Sequence, residues 1–203
     1  RNGDELVYAH IARLTAESGN WLPLVSSYDF MRNTKPPLLF WQAMLAGGWG
    51  DHWSLFNLRL PSVVYLWATA VLVGLLTRKI VSQTPAQSKD QANVAGAIAA
   101  IVFLSFFSTY RYGRPYLTSA PETFWLFGVF FAIAWSPAKL LASSWKFPLI
   151  AGIAIGIACL YKSFAMVAPV GLGLALCYQT LGARKTPWQI FRPGVLRDGF
   201  KVA

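Results

Sequence analysis

The chain has 203 residues, 55% of them hydrophobic and 13% charged, with a mean hydropathy of +0.43 and a formal net charge of +10. A soluble domain carries about 25% charged residues, and a chain of this length cannot bury so much apolar surface in one core. Several long apolar runs therefore assign it to lipid. The positive charge does not signal nucleic acid, because the Lys and Arg residues lie between apolar runs and not on one polar face.

Residues 5–17 read as an amphipathic helix, with Val7, Ile11 and Leu14 on one face. Asn2 or Asp4 can cap its start, and Gly19 stands where a glycine stops a helix. Trp21 and Pro23 lead into an irregular loop through Asp29, Arg32 and Lys35. Pro36 and Pro37 suit the first turn of a second helix, over 37–45, where missing N–H groups cost nothing. That helix is too short to cross about 30 Å of hydrocarbon, so it lies in the interface or is buried in protein. Gly47 and Gly48 end it, and Trp49 and Trp53 suit the headgroup level.

Five candidate spans follow, over 58–77, 92–107, 123–135, 147–161 and 164–179. Only Lys162 and Ser163 separate the last two, which implies a tight re-entry or one broken segment. Gly152, Gly156, Gly171 and Gly173 are expected to let helices approach closely there. Loops 78–91, 137–146 and 181–203 hold ten bases against two acids. The opposite set, 1–57, 111–121 and 162–163 with flanking Arg59 and Glu122, holds eight bases against six acids. The positive-inside rule places the first set in the cytoplasm and the opening loop outside. The expected fold is an all-α polytopic membrane protein. It comprises an extracytoplasmic loop over 1–57 with two interfacial helices, about five transmembrane helices over 58–180, and a basic cytoplasmic tail over 181–203. The chain opens on Arg1 and closes on a basic segment, and is read as a fragment.

Acids that can carry chemistry concentrate in the opening loop. Asp4 and Glu5 begin a helix, where neighbouring side chains point about 100° apart, so only one can face a given site. Both also suit a structural role, as an N-cap and a first-turn acid favoured by the helix dipole. Lys35, held by two prolines at a membrane surface, is a natural phosphate partner or a snorkelling interfacial lysine. Arg111 and Arg114, among Tyr110, Tyr112 and Tyr116, can clamp a phosphate and stack on a sugar, or form an aromatic belt with flanking charge. Lys162 is a basic residue between apolar runs, hence a functional candidate or a loop charge. Glu122 is expected to pair with one of the arginines. His10 and His52 lack ligand partners at helical spacing, and Cys159 and Cys177 read as small buried hydrophobes. The residues themselves imply no metal site.

Asp4-Glu5, Tyr8-Ala9, Ile11-Ala12-Arg13, Ser18-Gly19-Asn20-Trp21 with Pro23, Lys35-Pro36-Pro37-Leu38 with Trp41, Gly50 and Arg59-Leu60-Pro61-Ser62 follow in that order. Together they resemble the first extracytoplasmic loop of GT-C membrane glycosyltransferases, in particular bacterial relatives of protein O-mannosyltransferases and of the lipid A aminoarabinose transferase. The likeness covers about the first 62 residues and continues more loosely at 114–124 and Tyr161-Lys162-Ser163. It implies transfer of a sugar from a polyprenyl-phosphate-linked donor to a lipid, glycan or protein acceptor, at the outer face of a bacterial inner membrane. It implies Asp4 as the catalytic base or acceptor-orienting acid, with Glu5 beside it. Lys35 would contact the donor phosphate, with Arg111, Arg114 and Lys162 as further candidates for it. The sequence departs from the family at Thr34, where aminoarabinose transferases carry an acid implicated in metal binding, and at Ser119, where a second acid is common. A divalent metal and the acceptor class are thereby left open. Two other functions compete: a non-catalytic paralogue, and a transporter or flippase of lipid-linked substrates. No repeat and no acid inside a span favours transport.

Overall fold

The computed structural model describes residues 3–27, 35–84, 87–136 and 146–182. Asp29, Arg32, Thr34, part of the loop before residue 146 and nearly all of the basic tail lie outside the described residues. Among the described residues the protein is helical throughout, without a strand.

Helix α1, Gly3–Glu17, starts earlier than its hydrophobic periodicity suggests, so Asp4 lies inside the first turn and is not its cap. Gly19 ends it as expected: its φ of +72° is the left-handed conformation glycine adopts without cost, and its N–H donates to the Ala16 carbonyl at 3.0 Å. The chain then folds back over α1. Thr15 sits buried at the crossing, its Oγ1 donating to the Ile11 carbonyl at 2.7 Å and accepting from Val25 N at 2.9 Å. Helix α2, Leu38–Ala46, has Pro37 as its N-cap and not as its first helical residue. The Pro37 carbonyl accepts from Phe40 N and Trp41 N, both at 3.0 Å.

The α2 side chains Leu39, Phe40, Ala43 and Met44 are fully buried, which selects burial in protein over an exposed interfacial helix. Each large one contributes about 1.5–3 kcal/mol by leaving water. Leu39, Phe40 and Ala43 pack with Ile11, Ala12 and Leu24 of the opening segment and with Leu58, Tyr116 and Tyr161 from three later parts of the chain. The described part of the first 57 residues thus forms a packed cap. Trp21, Trp41 and Trp49 cluster at its edge, with Trp21 5.7 Å from Trp41 and 4.6 Å from Trp49 between ring centroids.

Helix α3, Leu55–Ser82, is capped by Ser54, whose side chain accepts from Asn57 N at 3.2 Å. It is long and apolar enough to cross a bilayer. Helix α4, Lys89–Ser105, opens with a capping box between Ser88 and Gln91. An extended Phe106 ends it, and the chain bends by 63° into the short α5, Phe107–Gly113. Helices α6, Ser119–Trp135, α7, Lys146–Tyr161, and α8, Val167–Gly182, complete the described part. The five apolar runs are therefore helical close to where hydropathy places them, but among the described residues only α3 by itself has the length and apolarity of a span.

Two packing expectations are corrected. Gly152 and Gly156 have open space where a Cβ would stand, because α7 meets α6 through Ala151, Ile155 and Cys159 instead. The close glycine contact is between α3 and α4. A Cβ on Gly96 would lie 2.6 Å from the Gly74 carbonyl oxygen, and one on Gly74 would lie 3.0 Å from that of Gly96. Small residues at a crossing let two backbones touch.

The helix ends sort into two groups. At one end the cap meets Leu58, Tyr116 and Tyr161. At the other, Lys79 Nζ donates to the last carbonyls of α6, Ala134 and Trp135, both at 2.9 Å. A cation there satisfies otherwise unpaired acceptors and the negative end of the helix dipole.

Candidate functional site

The two adjacent acids of α1 face different surroundings. Glu5 is fully buried and Asp4 is exposed. Arg59 Nε and Nη2 each donate to a Glu5 oxygen at 2.6 Å, the two-pronged geometry that makes guanidinium–carboxylate pairs strong. A third donor, Tyr116 N, reaches Glu5 Oε1 at 2.9 Å. Burial pushes the Glu5 carboxyl up, but the Arg59 hydrogen bonds, the Tyr116 N–H and the Arg59 charge together outweigh it, holding Glu5 below its ordinary value of 4.5. Glu5 is an anion whose acceptors are occupied, a poor general base. Sequence reading grouped it with Asp4 as catalytic; the geometry gives it a structural partner instead.

Tyr116, also fully buried, extends this linkage. Its hydroxyl donates to the Leu39 carbonyl at 2.9 Å, and burial pushes its phenol well above the usual value. It therefore stays a neutral donor. One carboxylate and one tyrosine thus tie α1, α2, α3 and the α5–α6 connection together. Nothing in the sequence singled out Tyr116 from Tyr110 and Tyr112, since the three are equivalent until the fold buries one.

Beside the Glu5–Arg59 pair lies an open cavity of about 400 Å³, lined by Gly3, Glu5, Arg59, Tyr110, Arg111 and Arg114 among others. The bend at Phe106 carries α5 to this place and brings Arg111 and Arg114 to the start of α1. Arg114 lies 4.5 Å from the Tyr110 ring centroid and donates from Nη1 to its hydroxyl at 2.9 Å. Arg111 lies 5.7 Å from the Phe107 ring centroid and 5.6 Å from that of Tyr112. Aromatic faces hold both guanidiniums without neutralising them. Glu5 neutralises Arg59, and among the described residues no acid pairs with Arg111 or Arg114, so two positive charges are left over there. It can hold an anion.

Asp4 heads the neighbouring row of α1. Tyr8, one turn on, is pushed above its usual pKa by burial and then by the Asp4 charge. The Tyr8 ring packs edge-on against Phe40 of α2, at 5.9 Å. Lys35 is exposed just ahead of α2 and does not line the arginine cavity. Lys162 lies apart from it as well, 3.0 Å from Glu122 Oε2. The expected pairing of Glu122 with an arginine is thus corrected: α6 directs this acid toward the α7–α8 turn, while Arg59 is taken by Glu5 and the other arginines stand on aromatic rings. Of the expected cations, the structure joins Arg111 and Arg114 to the start of α1, and keeps Lys35 and Lys162 outside that cavity.

Tyr161 OH donates to Gln42 Oε1 at 2.7 Å and lies 3.2 Å from Tyr65 OH. Among the described residues no group of three or more His, Cys, Asp or Glu side chains gathers as a metal site would require. Comparison with protein-family models, with curated proteins and with solved structures returns no match.

Proposed function

We propose that the protein is part of a membrane glycosyltransferase of the GT-C type, moving a sugar from a polyprenyl-phosphate donor to a lipid, glycan or protein acceptor in the cell envelope. The observation that carries this reading is the cavity with two uncompensated guanidiniums at the start of a helix bearing an exposed carboxylate. Cations and a base at one place are what such a transfer needs.

In the proposed reaction Asp4 takes the proton of the acceptor nucleophile. The nucleophile forms its bond to the anomeric carbon from the face opposite the phosphate. The anomeric carbon–oxygen bond breaks, and the phosphate leaves with the electron pair. Arg111 and Arg114 stabilise the charge gathering on it, and Lys35 contributes from the α2 side of α1. Lys162 is paired with Glu122 and serves the site from further away.

We place α3, the bent α4–α5 pair, α6, α7 and α8 across the inner membrane as five spans, with the cap outside. Depth supports this. Arg59 and Lys79 are separated along α3 by roughly 30 Å at 1.5 Å per residue, about the thickness of the hydrocarbon. Exposed Val64, Trp67, Val71, Ile98 and Ile101 then meet acyl chains. The tryptophan cluster and Arg111 fall at headgroup level, where a lipid-linked phosphate resides.

The test is transfer by the full protein in proteoliposomes supplied with polyprenyl-phosphate mannose or polyprenyl-phosphate aminoarabinose. Release of polyprenyl phosphate and a matching mass gain on an acceptor are expected. Arg111→Gln and Arg114→Gln are each expected to raise the donor KM about tenfold or more, the worth of a charge-assisted hydrogen bond, and Lys35→Ala to weaken donor binding. No release with either donor, or unaltered donor affinity in all three variants, contradicts the reading.

A further inference from the structure

We infer that Glu5 is a positioning residue, which with Arg59 and the Tyr116 amide sets the rotation of α1 and so aims the Asp4 carboxylate. The inference rests on the catalytic reading of Asp4 and assigns Glu5 a different task. Side chains at adjacent helical positions diverge by about 100°, so a locked Glu5 fixes where Asp4 can point. The lock is made of three short bonds, at 2.6, 2.6 and 2.9 Å, on a side chain with no exposed surface. Its partners come from α3 and from the α5–α6 connection, not from α1 itself. Glu5 also heads the buried row that continues through Ala12 and Ala16. The first turn of α1 is thus held at both edges: by packing along the row, and by charge at its tip. The Tyr116 hydroxyl bond to Leu39 carries the same constraint into α2, the helix that Lys35 precedes. Asp4 and Lys35 therefore keep a set relation although no bond joins them.

The test uses the full protein with its own cysteines, Cys159 and Cys177 among them, replaced by alanine and a nitroxide attached at Asp4→Cys. With Glu5 and Arg59 intact the label is expected to be restricted. Glu5→Gln and Arg59→Gln are expected to free it, and Arg59→Lys, which keeps the charge but loses the two-pronged contact, to give an intermediate spectrum. In the Asp4-bearing protein, Glu5→Gln is expected to lower kcat by about 10–100-fold through misplacement of the reacting group. Label mobility unaltered in both glutamine variants overturns the inference. Turnover in Glu5→Gln equal to that of the unaltered protein overturns it too, since Asp4 would then be aimed without Glu5. A protein that turns over no sugar donor contradicts the transferase reading alone, and the label spectra still decide the role of Glu5.

Discussion

Glu5 and Asp4 are neighbours in sequence with opposite fates, and the difference is a matter of what each costs to remove. Truncating one partner of a buried ion pair leaves the other charge uncompensated, at about 3–5 kcal/mol. An exposed substitution typically changes stability by less than about 0.5 kcal/mol. Glu5→Ala is therefore expected to destabilise the detergent-solubilised protein by about 3 kcal/mol in chemical unfolding, and Asp4→Asn hardly at all. The pH dependence has a definite sign. Glu5 has its folded pKa below the ordinary 4.5, so its contribution is fully present above about pH 4.5 and is lost as pH falls through the lower folded value. The denaturant midpoint of Glu5→Gln should accordingly depend less on pH below about 4.5 than that of the unaltered protein. Composition marked this stretch as the place where the acids concentrate. It could not tell the two acids apart, because their separation depends on Arg59, far along the chain, and on a backbone amide that carries no sequence signature.

Helices were the most legible level. Apolar runs located α3, α4, α6, α7 and α8, and Gly19 marked the end of α1, because hydrophobic patterning and a left-handed glycine act locally. What patterning missed was the bend at Phe106, where an extended residue interrupts an apolar run without Pro or Gly. That bend is what delivers Arg111 and Arg114 to α1. Glycine contacts were equally invisible, since Gly74 and Gly96 differ from Gly152 and Gly156 only in what lies opposite them. Gly96→Leu is expected to force α3 and α4 apart at a cost of about 1–3 kcal/mol, while Gly152→Ala and Gly156→Ala leave the melting temperature unchanged or slightly raised. Equal effects at the three positions would contradict the α3–α4 contact.

For the whole molecule, the proposed orientation rests on the charge asymmetry of the loops. Residues 1–57, 111–121 and 162–163, grouped by the count of bases and acids, contribute the cap, the arginine cavity and the Lys162–Glu122 pair. Of their counterparts, Lys79 meets the last carbonyls of α6 at the far end of α3. Single cysteines placed at Ser27 and Gln87 in the full protein should therefore react from opposite faces of intact cells. An impermeant maleimide is expected to label position 27 from outside and position 87 only after the membrane is opened. Labelling of both from one face would contradict the orientation on which the extracytoplasmic site depends.

Transfer by Asp4→Asn bears most directly on the proposed chemistry. The substitution keeps the size of an exposed side chain and removes only its capacity to take a proton. Measured in proteoliposomes at matched protein level with a polyprenyl-phosphate sugar, turnover is expected to fall by about 10²–10⁴-fold, the worth of a positioned general base, with the melting temperature unchanged. Turnover equal to that of the unaltered protein would contradict the role of Asp4 as the base.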